Sequence, residues 1–160
     1  MALDPVRLAS ASAAVLILSA CGESTAPAAP AAPPPPPLSP EEIALKVAAL
    51  PAPYNDADYE NGRRAFARCR ACHTVTQGGP DMTGPNLWGV FGRQAGGRDG
   101  YNYSKALQEA DFVWDGAQLD QWLAQPRTFL PGNKMNFPGV PDDQDRRDLI
   151  AWLKVETSPR

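Results

Sequence analysis

Cys69-Arg70-Ala71-Cys72-His73 is the stretch that decides the fold of this 160-residue chain. Two thiols separated by two residues and followed directly by a histidine form the pattern of covalent haem attachment. One turn of chain can bring both thiols to the vinyl groups on one side of a porphyrin, and the next residue then presents its imidazole to the iron. The stretch therefore predicts one haem c bound through Cys69 and Cys72, with His73 as an axial ligand.

Three other interpretations of this stretch remain open. A redox-active dithiol uses two cysteines at the same spacing, although it does not require the adjacent histidine. A structural zinc site needs about four nitrogen or sulfur ligands, and the chain holds only three cysteines and one histidine. The third alternative is a chance match.

The second axial ligand follows by elimination. His73 is the single histidine, so a second imidazole from the same chain is excluded. A thioether is a soft ligand that suits haem iron and raises its potential. Among the three methionines, Met1 would leave with a signal peptide, and Met82 lies too close to His73 in the chain to cross a porphyrin. Met135 is therefore the predicted ligand, the alternative being a methionine that only packs.

The N-terminal residues predict an export signal rather than part of a core. Leu8–Ala20 is an uncharged, mostly apolar run, shorter than the roughly 20 residues that a membrane-spanning helix needs. Its length suits a signal peptide over residues 1–20. The run ends in Leu18-Ser19-Ala20-Cys21, which resembles the lipobox of bacterial lipoproteins and predicts lipidation at Cys21. A plain secretory signal and an uncleaved anchor are the alternatives.

Residues 21–53 are predicted to form a tether that ends in a short helix. Eight of the chain's 18 prolines lie between Pro27 and Pro40, and the run of five at 33–37 favours an extended polyproline helix. Ser39-Pro40-Glu41-Glu42 predicts a helix start in which Ser39 is the N-cap and Glu42 completes a capping box. Residues 54–160 would then form the haem-carrying domain.

Several further segments follow the haem motif in a fixed order and carry a family resemblance. From about residue 56 to 154, the chain resembles the mitochondrial-type, class I cytochrome c family. The resemblance implies an all-α cytochrome c fold, with three main helices wrapped round one covalently bound haem c. Sequence periodicity independently predicts helices over 58–68, 118–125 and 141–156, the second stopped by Pro126. The segments are Gly62-Arg63-Arg64-Ala65-Phe66, Thr83-Gly84-Pro85-Asn86-Leu87, Gly89-Val90-Phe91-Gly92-Arg93, Tyr103-Ser104, Trp114, Pro131-Gly132 with Lys134-Met135, and Asp148–Lys154.

The resemblance also implies roles for residues outside the attachment motif. Gly62 would allow the first and last helices to cross closely. The carbonyl of Pro85 would accept the other ring N–H of His73. Further residues would surround the haem: Arg93, Tyr103 and Trp114 as donors to its propionates, and Leu87 and Phe137 as apolar walls, with Phe137 closing the exposed edge.

Three positions depart from the family pattern. Leu107, Trp122 and Asn133 fall where mitochondrial members carry asparagine, tyrosine and threonine around an internal water. The polar network beside Met135 is therefore expected to differ.

The predicted ligation favours an electron carrier rather than an enzyme, because two protein ligands leave no open iron position. A haem enzyme or gas sensor with an open site, and a fixed subunit of a larger oxidoreductase, are the alternatives. The family suggests redox partners such as a quinol-oxidising complex and a terminal oxidase. Arg70, Arg127 and Lys134 would form a positive surface for docking.

The remaining expectations concern location and assembly. Haem attachment of this kind takes place in an exported compartment, so the domain should lie on the periplasmic side of a bacterial membrane, held by its N-terminal lipid anchor. A net charge of -3 argues against a nucleic-acid partner. The chain is expected to be a monomer.

Overall fold

The computed structural model describes residues 36–159. Its helices, in chain order, are α1 (Pro40–Ala48), α2 (Tyr59–Ala65), α3 (Lys105–Gln108), α4 (Gly116–Ala124), α5 (Pro126–Phe129) and α6 (Asp143–Glu156), and a 3₁₀ turn over Phe66–Arg68 extends α2. Within this range β-pairing is limited to one antiparallel bridge between Gln94 and Val113. The predicted all-α class is confirmed.

Of the predicted N-terminal segments, the structure describes only the end of the tether and the short helix that follows it. The signal peptide, Cys21 and most of the proline-rich tether lie outside residues 36–159, and they stay predictions. Among the residues that are described, no helix combines the length and the apolar character needed to cross a membrane.

Side chains cap the longer helices at their first free amides. Ser39 accepts a hydrogen bond from the Glu42 amide at 3.2 Å, and the Glu42 carboxylate accepts from the Ser39 amide at 2.7 Å, which is the predicted capping box. Asp58, Asp115 and Asp142 cap α2, α4 and α6 in the same way. The helix starts are therefore encoded locally.

The helix limits differ from the predicted ones in three places. The first predicted helix tightens into the 3₁₀ turn after Ala65. Pro126 does not simply stop the second helix, because it occupies the first position of α5, where a missing amide hydrogen costs nothing. The last helix begins at Asp143, since Asp142 is its cap.

Helices α2 and α6 cross at very close range. A Cβ atom placed on Gly62 would overlap the Asp148 carbonyl and lie 2.7 Å from Cβ of Trp152. Next to the crossing, the rings of Phe66 and Trp152 pack with centroids 4.5 Å apart. Gly62 therefore permits the close helix crossing that the family resemblance implied.

A buried carboxylate reinforces this crossing. Asp148 is only 1% exposed and accepts hydrogen bonds from the amide of Asp58 and from Nδ2 of Asn61, both at 3.0 Å. The hydroxyl of Tyr59 donates to Glu156 at 2.5 Å. Since buried polar groups must be satisfied, these bonds favour one register of α2 on α6.

Arg146 links α4 to α6. Its buried guanidinium donates at 2.8 Å to Asp120 of α4 and at 2.8 Å to Asp143. It also donates to the carbonyls of Val140 and Pro141, at 2.9 and 3.0 Å. The arginine thereby satisfies backbone groups of the segment that leads into α6.

Helix α1 packs against α6 through a face that includes the buried Val47. A nine-residue helix is marginal in isolation, so this packing stabilises it. Helices α2 and α6 form the scaffold for the rest of the domain. The haem motif follows α2 directly, and the long loops around α3 and after α5 lie on the side of α4 that carries the site.

Candidate haem-binding site

One cavity gathers nearly all the residues that the sequence singled out. The predicted residues in its lining are Cys69, Cys72, His73, Pro85, Leu87, Arg93, Tyr103, Trp114 and Met135. These residues come from distant parts of the chain. The fold brings them to one apolar space.

Phe137 does not belong to this lining. Its half-buried ring packs against the hydrophobic core, and it lines a separate surface cavity beside Gln125–Thr128. After Met135 the chain directs Asn136 towards the first cavity. The role of Phe137 at the exposed edge of a haem stays a prediction.

His73 is held so that one ring nitrogen is left for a ligand. Its Nδ1 lies 2.8 Å from the Pro85 carbonyl. Because a carbonyl can only accept, Nδ1 carries the hydrogen and Nε2 carries the free lone pair. Burial lowers the pKa of His73, although the bond to Pro85 acts in the opposite direction. The resulting neutral imidazole is the form that binds iron.

The backbone at Gly84 packs directly against the His73 ring. A Cβ at Gly84 would lie 2.7 Å from both ring nitrogens. The Gly84 amide also donates to the Cys72 carbonyl at 2.9 Å. A glycine here therefore permits a contact that fixes the plane of the imidazole.

The buried side chain of Asn86 holds the loop that carries Pro85. Its Nδ2 donates to Oγ1 of Thr74 at 2.6 Å and to the Thr76 carbonyl at 2.9 Å. Its Oδ1 accepts from the Trp88 amide at 2.9 Å. The loop is thus tied to the segment that follows His73.

The two cysteines lie on a single turn. The amides of Cys72 and His73 both donate to the Cys69 carbonyl, at 3.0 and 2.9 Å. Both thiols are free and half-buried. Burial raises the pKa of the Cys69 thiol to about 11. Both cysteines line the cavity, as attachment to one edge of a porphyrin requires.

Arg93, Tyr103 and Trp114 bring hydrogen-bond donors to the cavity lining. The Arg93 guanidinium donates to the carbonyls of Trp88 and Asn86. Tyr103 is buried, and desolvation raises its pKa while Arg93 opposes that effect. Trp114 lies beside Arg93, because the Trp114 backbone amide donates to the Arg93 carbonyl at 2.8 Å. A cation, a phenol and an indole suit partly buried carboxylates such as the haem propionates.

Sequence reasoning missed a large part of the apolar lining. Leu119, Trp122 and Leu123 form one buried face of α4 and line the cavity. Their i, i+3, i+4 spacing was a usable signal for a buried helix face. Leu107 and Trp122, two of the departures from the family pattern, also contribute to this wall.

The residues present fit a covalently attached haem. The cavity offers thiols and a neutral imidazole on one segment, a thioether on another, an apolar wall, and donors for two carboxylates. These features on an all-α scaffold are typical of a haem protein of the c type.

The comparisons with known proteins agree with this class. The cytochrome c family model matches residues 59–155. Cytochrome c of Kluyveromyces lactis is 40% identical over 105 residues, which cover 65% of this chain and 96% of that protein. A cytochrome c homolog of Bradyrhizobium diazoefficiens is 44% identical over 98 residues, covering 61% of this chain and 53% of that protein.

A solved structure is also similar. Cytochrome cH from Methylobacterium extorquens matches with a TM-score of 0.58 and 46% identity, covering 62% of this chain and 99% of that one. The chain belongs to the cytochrome c family. The predicted family and fold are thereby confirmed. Members of this family carry one haem c bound covalently through cysteines, and Cys69 and Cys72 are the two cysteines of residues 36–159.

Proposed function

We propose that this protein is a single-haem electron shuttle whose iron is held by His73 and Met135. Its family consists of haem electron-transfer proteins that are carriers rather than enzymes. The observation that carries the proposal is the occurrence of His73 and Met135 in the lining of one cavity. They are the single histidine of the chain and a methionine from a distant loop.

A haem bound in this cavity supplies a one-electron ferric and ferrous couple. The chain's own residues determine how that couple behaves. The bond from His73 Nδ1 to Pro85 fixes the ring tautomer and directs Nε2 away from the carbonyl. The sulfur of Met135 favours the reduced state. The apolar side chains of α4 exclude water from the site.

The ligation is tested by comparing Met135→Ala with Met82→Ala. Met82 is 47% exposed, so its loss serves as a matched control. The ferrous wild-type protein and the Met82 variant should show low-spin spectra that do not change under carbon monoxide. The Met135 variant should bind carbon monoxide and show a large fall in potential. An unchanged spectrum in the Met135 variant contradicts the proposal, as does free carbon monoxide binding by the wild type, which would favour an enzyme or gas sensor.

The charge distribution supports an acidic redox partner. Arg70 and Arg127 are exposed, and Lys134 is an exposed residue of the cavity rim. The acids Asp142 and Asp143 are exposed at the start of α6, which contributes nothing to the cavity lining. Complementary charges raise the association rate and make it sensitive to salt.

Stopped-flow oxidation by an acidic redox protein tests this docking surface. Charge reversal by Arg127→Glu should slow the second-order rate about tenfold at low salt and flatten its salt dependence. Reversal at Arg63, an exposed residue of α2, is the control and should have little effect. Equal effects of the two reversals would contradict a specific positive surface. A quinol-oxidising complex and a terminal oxidase are the natural donor and acceptor to try.

We further propose that residues 1–53 export and tether the domain to the periplasmic side of a bacterial membrane through a lipidated Cys21. The lipobox-like sequence and the proline-rich spacer support this location. Metabolic labelling with a radioactive fatty acid should mark the wild-type chain but not Cys21→Ser, which should be released as a soluble holoprotein. Equal labelling, or equal membrane retention, of the two proteins would contradict the lipid anchor.

Copurification after gentle solubilisation separates a shuttle from a fixed subunit. The holoprotein should emerge alone and as a monomer. Stoichiometric recovery with a dehydrogenase or an oxidase would instead identify it as a subunit of that complex.

A further inference from the structure

We propose that Asn133 is a positioning residue, which holds Met135 at the haem cavity by fastening the methionine loop to α5. The inference rests on the proposed ligation by Met135. It concerns a residue that departs from the family pattern, because mitochondrial members carry threonine at this position.

The side-chain amide of Asn133 uses both of its N–H donors and its carbonyl oxygen in hydrogen bonds to nearby backbone groups. Its Nδ2 donates to the carbonyls of Pro126 and Leu130, each at 2.8 Å. Its Oδ1 accepts the backbone N–H of Met135 at 2.9 Å. One half-buried side chain thus connects α5 directly to the backbone of the predicted ligand.

The methionine loop is held by individual hydrogen bonds rather than by regular secondary structure. Residues 131–142 contain no helix or strand, and Gly132 turns the chain with a φ of +85°. Pro131, Gly132 and Lys134 are exposed. A loop of this type is held by specific side-chain bonds rather than by a backbone ladder. The loss of the Asn133 side chain should therefore increase the mobility of Met135.

Helix α5 is a firm point of attachment because it belongs to the core. Pro126 is fully buried. Phe129 packs edge-on against Phe112 and Trp122, with centroid distances of 5.5 and 6.0 Å. Trp122 in turn lines the haem cavity. The bonds of Asn133 therefore connect the ligand loop to the same wall that shapes the site.

Lys134 forms a second connection, between the methionine loop and the segment that contains Asn102 and Tyr103. The Nζ of Lys134 donates to the carbonyls of Tyr103 and Asn102, at 3.1 and 3.3 Å. Lys134 thus fastens the loop to the far wall, where an ammonium on a long flexible stem adapts to movement. The planar amide of Asn133 fixes the distance to α5.

A threonine could not make the same connections. Its hydroxyl has a single donor hydrogen, whereas the carbonyls of Pro126 and Leu130 each take one from Asn133. Asparagine therefore makes a connection that a threonine side chain would leave incomplete.

The test measures how often the loop opens, using imidazole as an external ligand for the ferric holoprotein. We expect Asn133→Ala to bind imidazole about tenfold faster than the wild type, the change expected when ordinary hydrogen bonds are lost. Asn133→Asp keeps an acceptor for the Met135 amide but loses both donors, so it should show a similar increase. The charge-transfer absorption typical of methionine-ligated ferric haem should weaken in both variants.

Val155→Ala controls for a general loss of stability. Val155 is a buried residue of α6 that does not line the cavity, so its truncation should lower the melting temperature without accelerating imidazole binding. If Asn133→Ala does not accumulate, hydrogen exchange in the wild-type protein gives the same information. The Met135 amide should then exchange at least about tenfold more slowly than that of the exposed Lys134, because only the former donates to a fixed acceptor.

The outcomes separate this inference from the proposed ligation. Wild-type imidazole rates in both Asn133 variants, or equal exchange at Met135 and Lys134, would overturn the role of Asn133 while Met135→Ala still changes the spectrum. An unchanged spectrum in Met135→Ala would instead overturn the ligation itself. Acceleration by Val155→Ala equal to that by Asn133→Ala would also overturn the inference, because it would reflect stability alone.

Discussion

Asp81 and Arg98 join two loops of the domain through one carboxylate oxygen. Oδ1 of Asp81 accepts the Nε–H of Arg98 at 2.5 Å and the backbone N–H of Asn86 at 2.7 Å. The first bond reaches the loop that precedes Tyr103, and the second holds the loop that carries Pro85. The Asp81 carboxylate therefore contributes to the framework on which the His73 imidazole is oriented.

The Asp81 carboxylate should make the free energy of unfolding depend on pH in the acid range. The amide of Asn86, and then the Arg98 guanidinium, lower the pKa of Asp81, while desolvation opposes them. The folded state thus binds this proton more weakly than the unfolded state, whose Asp pKa is about 3.9. The stabilisation is present above about pH 4 and is lost as pH falls through the lower folded value.

Asp81→Asn should accordingly cost about 1 kcal/mol in the free energy of unfolding at neutral pH. Denaturant titrations from pH 7 down to pH 3 should show the difference from wild type shrinking with acid. Asp99→Asn, at an exposed carboxylate of the adjoining loop, should stay close to wild type throughout. A difference that grows as the pH falls would contradict this sign.

Gly62→Ala should destabilise the domain by about 3 kcal/mol, because the added methyl meets the Asp148 backbone rather than a movable side chain. Helix propensity alone would favour alanine by about 1 kcal/mol. A gain in stability would therefore show that α2 and α6 can move apart. Equilibrium unfolding is the measurement, and the neighbouring exposed Arg63→Ala should change stability by less than about 0.5 kcal/mol.

Arg146→Met should cost about 2 kcal/mol while leaving the visible spectrum unchanged. The substitution keeps apolar bulk but removes the donors to the Val140 and Pro141 carbonyls, whereas the exposed Asp143 carboxylate can be rehydrated. Arg146 does not line the cavity. Thermal unfolding followed in the far ultraviolet and absorbance of the folded holoprotein therefore separate the two effects. A changed spectrum would indicate that the α4–α6 link reaches the site.

Gly84→Ala should disturb the His73 imidazole itself. The new Cβ would lie 2.7 Å from both ring nitrogens, so either the ring or the Pro85 loop must shift. We expect at least a fivefold lower yield of holoprotein, measured by haem absorbance per chain. Gly100→Asn is a suitable control, because Gly100 has open space around it and asparagine tolerates its φ of +76°. Equal yields would show that the ring does not need this contact.

The sequence alone was sufficient wherever the determining residues are neighbours in the chain. The haem motif places both thiols and the imidazole on one turn, and the caps at Ser39 and Asp58 start their helices through bonds that span three residues. Counting histidines and methionines also narrowed the ligand choice without any structure. Chemistry of this kind depends on local spacing, which the sequence states directly.

Only the tertiary structure decided which side chains meet across long separations. The path of the loop after Met135 packs the Phe137 ring against the hydrophobic core. The turn before Met135 brings Asn133 onto the carbonyls of Pro126 and Leu130. The buried contact between Asp148 and Asp58 likewise depends on how two helices cross. These relationships arise from packing between segments, and the identity of a distant neighbour is not encoded in local periodicity.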